Sequence, residues 1–269
     1  MRSLVIVLEE QIENKRMTFN LTKYEVKNRY AGKVLGGIWT FLNPVLQIGV
    51  FWFAFGLGIR GGNPVGDIPF VVWMITGMIP WIYISASINR GATSIYSKLS
   101  LASKMSFPLS IVPTYTILAQ LQIHLILLSL VFFMMIVHGV SFAGFSIIAL
   151  LYFMLTTTTF LVALSFVTST IIAIISDAQL VISHVIRLLF FMTPIMWETP
   201  RVSNVWFRFV LRVNPTHYLV TGYRNAFLYS NVRSISIIDT IYFWSLTMLL
   251  LIIGTKIHVK FRREFIDYR

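Results

Sequence analysis

The 269-residue chain has no cysteine, which excludes disulfides, thiolate metal sites and cysteine nucleophiles. It is also poor in acid: ten Asp and Glu stand against 22 Lys and Arg, too scattered to form the carboxylate pair of a general acid and base. Neither H-E-x-x-H nor G-x-S-x-G occurs, so the metalloprotease helix and the nucleophile elbow are both missing. The one Gly-Lys pair, Gly32-Lys33, precedes Val34 and has Lys27 where a P-loop needs its first glycine, so ATP is not bound in that way. The expectation is a chain that is not itself an enzyme and holds no cofactor or metal. Charge of either sign is scarce too, at 12% of residues against about 25% in ordinary globular proteins.

Apolar residues take the remaining space. The chain is 57% hydrophobic with a mean hydropathy of +0.77, the composition of an integral membrane protein. About 20 helical residues cross the hydrocarbon core. Apolar runs of that order, free of charge apart from Arg187 and Asp239, occupy 34–59, 68–89, 111–138, 145–175, 180–197 and 235–255, which predicts an all-α membrane protein with six transmembrane helices. The fourth run contains Thr156 to Thr159, whose hydroxyls can bond back to the preceding helical turn, so it reads as one tilted helix. No repeat or linker divides the chain. The spans contain essentially no acid, with only Asp177 and Asp239 near their ends, which argues against a carrier coupled to protons or sodium.

Orientation follows from the basic residues. Residues 1–33 carry seven Lys and Arg, 90–110 three and 256–269 five, against six in the alternate loops, with Arg187 left inside a span. The positive-inside rule places both termini in the cytoplasm and the chain, multi-pass, in the cell membrane. Three parts follow: 1–33 as a cytoplasmic N-terminus, 34–255 as the transmembrane domain and 256–269 as a cytoplasmic basic tail. The apolar stretch before Glu9, Glu10 and Glu13 is too short for a signal peptide, so the N-terminus is expected to be retained. The net charge of +12 lies mostly in loops and ends, which suits membrane lipid headgroups or an anionic cargo and not nucleic acid.

Three segments combine charge with apolar character. Residues 24–33 interleave Lys27, Arg29 and Lys33 with Tyr24, Val26 and Tyr30. They fit an amphipathic helix on the inner headgroups, turning at Gly32, Gly36 and Gly37 into the first span, or a basic stop-transfer flank. Residues 198–233 are rich in aromatics, with Arg208 and Arg212 one turn apart, and read as short extracellular re-entrant helices broken at Pro215. His184 and Arg187 lie at i and i+3 in the fifth run and share a face. A charged Arg at mid-helix costs about 2.5–3.5 kcal/mol on insertion scales. It therefore faces a cavity or partner, or snorkels to the inner headgroups near Asp177.

Four stretches, NRYAGKVLGGIWTFLNPVLQ, GMIPWIYISASINRGATSIYSKLSLASKMSFPLSIVP, ISDAQLVISHVIRLLFFMTPIMWETP and RVNPTHYLVTGYRNAFL, resemble in this order the ABC-2 type permeases. Among these, the resemblance is to exporters of polysaccharide and teichoic acid, and FFMTPIMWE at 190–198 inclines it toward the wall teichoic acid branch. Capsule or O-antigen polysaccharide is the alternative cargo, and a small drug or lipid a further one. A polytopic lipid-linked sugar transferase is the rival from another class.

The resemblance implies a homodimer of the permease with two copies of a separate ATPase subunit, which binds the ATP and Mg. A lipid-linked polymer would pass between the two six-helix bundles. It makes 24–33 an interfacial helix resting on the ATPase, with Tyr24, Val26, Lys27 and Arg29 as coupling residues. It makes 94–103, with Ser94, Tyr96, Lys98 and Leu101, a short helix that docks into that subunit. The turn ISDAQ matches an inner loop where an Arg-Asp pair is frequent. Ser176 stands in place of the arginine, leaving Asp177 as a coupling candidate and Ser176 as a plain N-cap. His184, Arg187, Arg208, Arg212 and Arg224 become candidates for the cargo's phosphates, against outer phospholipid anchoring for the last three.

Overall fold

In hydrocarbon a backbone must satisfy its own N–H and C=O groups, and a helix does so within one segment. The apolar runs accordingly fold as helices. A computed structural model describes residues 2–29, 32–99, 108–198, 204–229 and 236–262. Among them are ten α-helices and no strand: α1 (Arg2–Glu13), α2 (Lys15–Asn28), α3 (Trp39–Phe51), α4 (Phe70–Ala92), α5 (Ile111–Val137), α6 (Ile147–Ile174), α7 (Ala178–Met192), α8 (Val205–Val213), α9 (Pro215–Leu228) and α10 (Ile237–Phe261). Five segments are long and apolar enough to cross a membrane: α3 with its flanking turns (Gly36–Ile59), α4, α5, α6 and α10.

The fifth predicted run is shorter than expected. Its helix, α7, has 15 residues, about 22 Å at 1.5 Å each. Pro194 explains the stop, because the residue before a proline is pushed out of the α region, and Thr193 is extended at φ −94, ψ 132. The chain nonetheless reaches the opposite end of the bundle, where Glu198 pairs with Arg60 just past the wide turn Trp52–Ile59 that extends α3. The last helix runs beyond the predicted span: residues 256–261, expected to open a tail, continue α10.

The centre is α4, which packs against α5, α6, α7 and α9. Val72, Met74, Met78, Ile79 and Ile84 are fully buried there, with Phe153, Tyr223, Phe227 and Phe243 around them. The threonine row behaves as its chemistry requires: Thr157, Thr158 and Thr159 donate to the carbonyls of Phe153, Met154 and Leu155 at 2.7, 2.7 and 2.9 Å, inside a single 28-residue helix. That helix is about 42 Å long, longer than the hydrocarbon core, and a span of this length tilts or projects.

At one end α1 and α2 cap the bundle. Gln11 donates to the Ser110 carbonyl at 2.8 Å, and Arg262 pairs with Glu10 at 2.7 Å. The turn from α2 into α3 uses left-handed backbone at Gly32 (φ 78) and Gly36 (φ 47), where a Cβ would be strained.

Candidate functional site

The proposed coupling elements converge at the end capped by α1 and α2. The predicted amphipathic helix begins at Lys15, nine residues earlier than the expected start at Tyr24, and ends at Asn28; it packs against α5, and its Thr18 and Thr22 are buried. Tyr24 (59%) and Lys27 are exposed, Val26 is half-buried, and Arg29 donates to Gln120 Oε1 at 3.2 Å. Ser94 is buried and donates to the Gly91 carbonyl, while Tyr96 is half exposed in the turn Tyr96–Lys98. Leu101 lies outside the described residues.

Lys98 joins the two elements, pairing with Glu25 of α2 at 3.7 Å. Beneath them Ile95, Leu99, Tyr115 and Ala173 form a small apolar cluster, separate from the main core, against which Leu21 packs. Asp177 occupies the cap position of α7 without a side-chain cap bond, so Ser176 is not the N-cap. Because the Lys98–Glu25 pair is partly exposed, it contributes about 0.2–1 kcal/mol. We expect a double-mutant cycle of Lys98→Ala and Glu25→Gln, read by thermal unfolding, to give a coupling energy within that range.

His184 and Arg187 are both exposed on α7, whose one buried residue is Ile186. They share the outward face with Leu180, Val181 and Leu188. The sequence therefore located an ionisable pair on an uncovered apolar helix.

The three candidate arginines of the segment before α10 separate. Arg208 and Arg212 are exposed on α8, and Arg212 lies 3.7 Å from Asp239. Both line a recess of about 690 Å³ with His217, whose imidazole burial holds below the usual histidine range, opposed by Asp239 and reinforced by Arg224 and Arg212. Asn214 caps α9 by accepting from Thr216 N at 3.0 Å, with Pro215 at the first helical position, so the expected break is where the sequence put it.

Arg224 faces neither lipid nor an outer surface. It is buried, and its Nη1 and Nη2 donate to the Pro194 and Ile195 carbonyls at 2.9 and 3.0 Å. Its guanidinium lies 3.7 Å from the Trp73 ring centroid. Gly77 leaves it room, because a Cβ there would collide with Nη2. The break at Pro194 releases carbonyls from the helix, and inside a membrane protein such groups need a buried donor; Arg224 is that donor. Thr193, Asn214 and Thr216 secure the same junction, with Thr193 Oγ1 2.7 Å from Thr216 Oγ1.

A further polar site escaped the sequence reading. Thr40, Asn43 and Gln47 of α3 face Gln120 and His124 of α5 across a cavity that Arg29 and Arg90 also line. The signal was available: spacings of three and four place both groups on single helix faces. Their short polar side chains left the runs uncharged, and so they passed as span residues.

The profile of the ABC-2 type transporter family matches residues 17–228. The O-antigen export system permease protein RfbA of Myxococcus xanthus is 28% identical over 225 residues, covering 83% of this chain and 85% of that protein. Two proteins of the same name from Klebsiella pneumoniae are 23% and 24% identical, covering 92% of each chain.

Proposed function

We propose, from the premise that this chain belongs to the ABC-2 type transporter family, that it is the permease subunit of an exporter that moves a lipid-linked polysaccharide across the cell membrane. A separate ATPase subunit binds the ATP and Mg. The observation that carries the reading is the union of α2 with the turn before residue 99 through Lys98 and Glu25. Two elements that must move with an ATPase form one surface at one end of the bundle. The names of the relatives favour an O-antigen type of polysaccharide over the teichoic acid suggested by 190–198.

The finer architecture follows from the same reading. The chain crosses six times, because α7 and the non-helical residues 193–198 together connect the two ends. Both termini are cytoplasmic, and α2 lies at the inner headgroups. Helix α8, with Trp206 80% exposed, lies in the outer leaflet. A second copy of the chain meets the exposed faces of α3 and α7, which touch each other through Phe51 and Phe190 with ring centroids 5.2 Å apart. The polymer passes between the copies, beside His184 and Arg187. If Arg187 meets cargo phosphate, we expect Arg187→Ala to lower export with assembly intact and Arg187→Lys to recover part of it, since Lys lacks the planar fork. Unchanged export in both variants indicates snorkelling.

The test of this reading is co-purification with a separate ABC ATPase subunit from the same cell. The chain alone should hydrolyse no ATP, and the complex should. Hydrolysis by the isolated chain, or failure of any ATPase to associate, contradicts it.

A further inference from the structure

The cavity between α3, α4 and α5 measures about 180 Å³. Its floor is formed by Gln120 and His124, only 3% and 1% exposed. Gln120 Nε2 and both His124 ring nitrogens have no hydrogen-bond partner among the described residues. Leaving a buried polar group unsatisfied costs about 1–3 kcal/mol, so three such atoms around one cavity mark a place built to receive a polar ligand. Packing does not explain them, because the His124 ring is already held by stacking on Tyr83 at 4.6 Å and edge-on against Tyr223 at 5.4 Å.

The sign of that ligand's charge follows from the lining. Arg29 donates to Gln120 Oε1, which leaves the amide NH₂ as a donor. Arg90 is exposed and also lines the cavity, Thr40, Asn43 and Gln47 add polar groups, and no Asp or Glu is among the lining residues. Two cations and several neutral donors, with no carboxylate, select an anion. The volume is many times the roughly 10–15 Å³ that one water needs, enough for a phosphate or diphosphate. Gln120 and His124 lie nine and thirteen residues into α5, about 14 and 20 Å along its axis. Arg90 lies in the last turn of α4. The site therefore runs from headgroup depth toward the interior.

We propose that this cavity binds the phosphate of a membrane lipid, with Arg29 and Arg90 meeting the anion and Gln120 and His124 completing its hydrogen bonds. The lipid is either a phospholipid or the lipid that anchors the cargo; only the second source rests on the proposed export function.

Full-length protein in nonionic detergent is examined by native mass spectrometry with phosphatidylglycerol, a polyprenyl diphosphate, or phosphate-free diacylglycerol. One phosphate-bearing lipid per chain should be retained, and diacylglycerol should not. Arg90→Gln, at an exposed position that does not threaten folding, should weaken retention at least tenfold. Gln120→Glu, of equal size but anionic, should abolish it, and Lys256→Gln on α10 should leave it unchanged. Retention of phosphatidylglycerol assigns a phospholipid site, and preference for the polyprenyl diphosphate assigns the cargo anchor. Equal retention by every variant, or none above diacylglycerol, overturns the site. Export that persists in the complex under that outcome leaves the proposed function standing.

Discussion

Arg224→Met is expected to lower the unfolding midpoint of the purified protein by about 10 °C and to abolish export. The guanidinium supplies donors to the Pro194 and Ile195 carbonyls, freed because Pro194 ends α7. Each carbonyl left without a partner in a buried place costs about 1–3 kcal/mol. Loss of the close cation–π contact with Trp73 adds about 2 kcal/mol in a desolvated site. Several kcal/mol is a large share of a total stability of about 5–15 kcal/mol, and each kcal/mol moves the midpoint of a chain of 150–250 residues by about 2–4 °C. Arg224→Lys should recover part of the loss, since an ammonium can reach one carbonyl but lacks the fork. Gly77→Ala should mimic the defect more weakly by pushing the guanidinium aside. A midpoint within about 2 °C of the parent for Arg224→Met, measured by tryptophan fluorescence, would contradict the clamp.

Val26→Pro is expected to leave the protein inserted but without export. Proline at 26 removes a backbone donor and clashes with the carbonyl of Thr22, at about 3 kcal/mol or more. The break falls in the last turn of α2, between Glu25, which pairs with Lys98, and Arg29, which reaches Gln120. Movement at the ATPase surface would then no longer pass into α3. ATP hydrolysis by the complex should survive in part, because the proposed function puts the nucleotide sites in the other subunit. Lys27→Gln, at an exposed position, should be nearly silent, because one Lys near anionic lipid contributes about 1 kcal/mol, screened by salt. The check is export against hydrolysis in reconstituted complexes. Normal export by Val26→Pro reduces the segment to a stop-transfer flank.

Sequence made the long helices legible because lipid imposes a length and forbids charge. The runs at 111–138 and 145–175 differ from Ile111–Val137 and Ile147–Ile174 by no more than two residues at either end. It misjudged α7 because hydropathy does not register what Pro194 does to the residue before it. It missed α1, whose apolar residues are interrupted by Glu9, Glu10 and Glu13 before they make a span-length run, and placed α2 late because charge and aromatics alternate most densely from Lys23 onward. Arg224 was legible as a charge and not as a partner, since its acceptors are backbone carbonyls 29 and 30 positions away. The polar cavity was hidden for a related reason: its residues come from separate helices and only the fold brings them to one place.

The most direct measurement is transport itself. The chain and its ATPase are reconstituted into vesicles with a labelled lipid-linked polysaccharide on the ATP-accessible side, and carbohydrate appearing on the opposite side is quantified. The account predicts movement that requires ATP, both subunits and the polymer on its lipid, with vesicles holding either subunit alone inactive. Polymer that crosses without the ATPase, or a complete complex that hydrolyses ATP yet moves none of the lipid-linked polysaccharide offered, would contradict it.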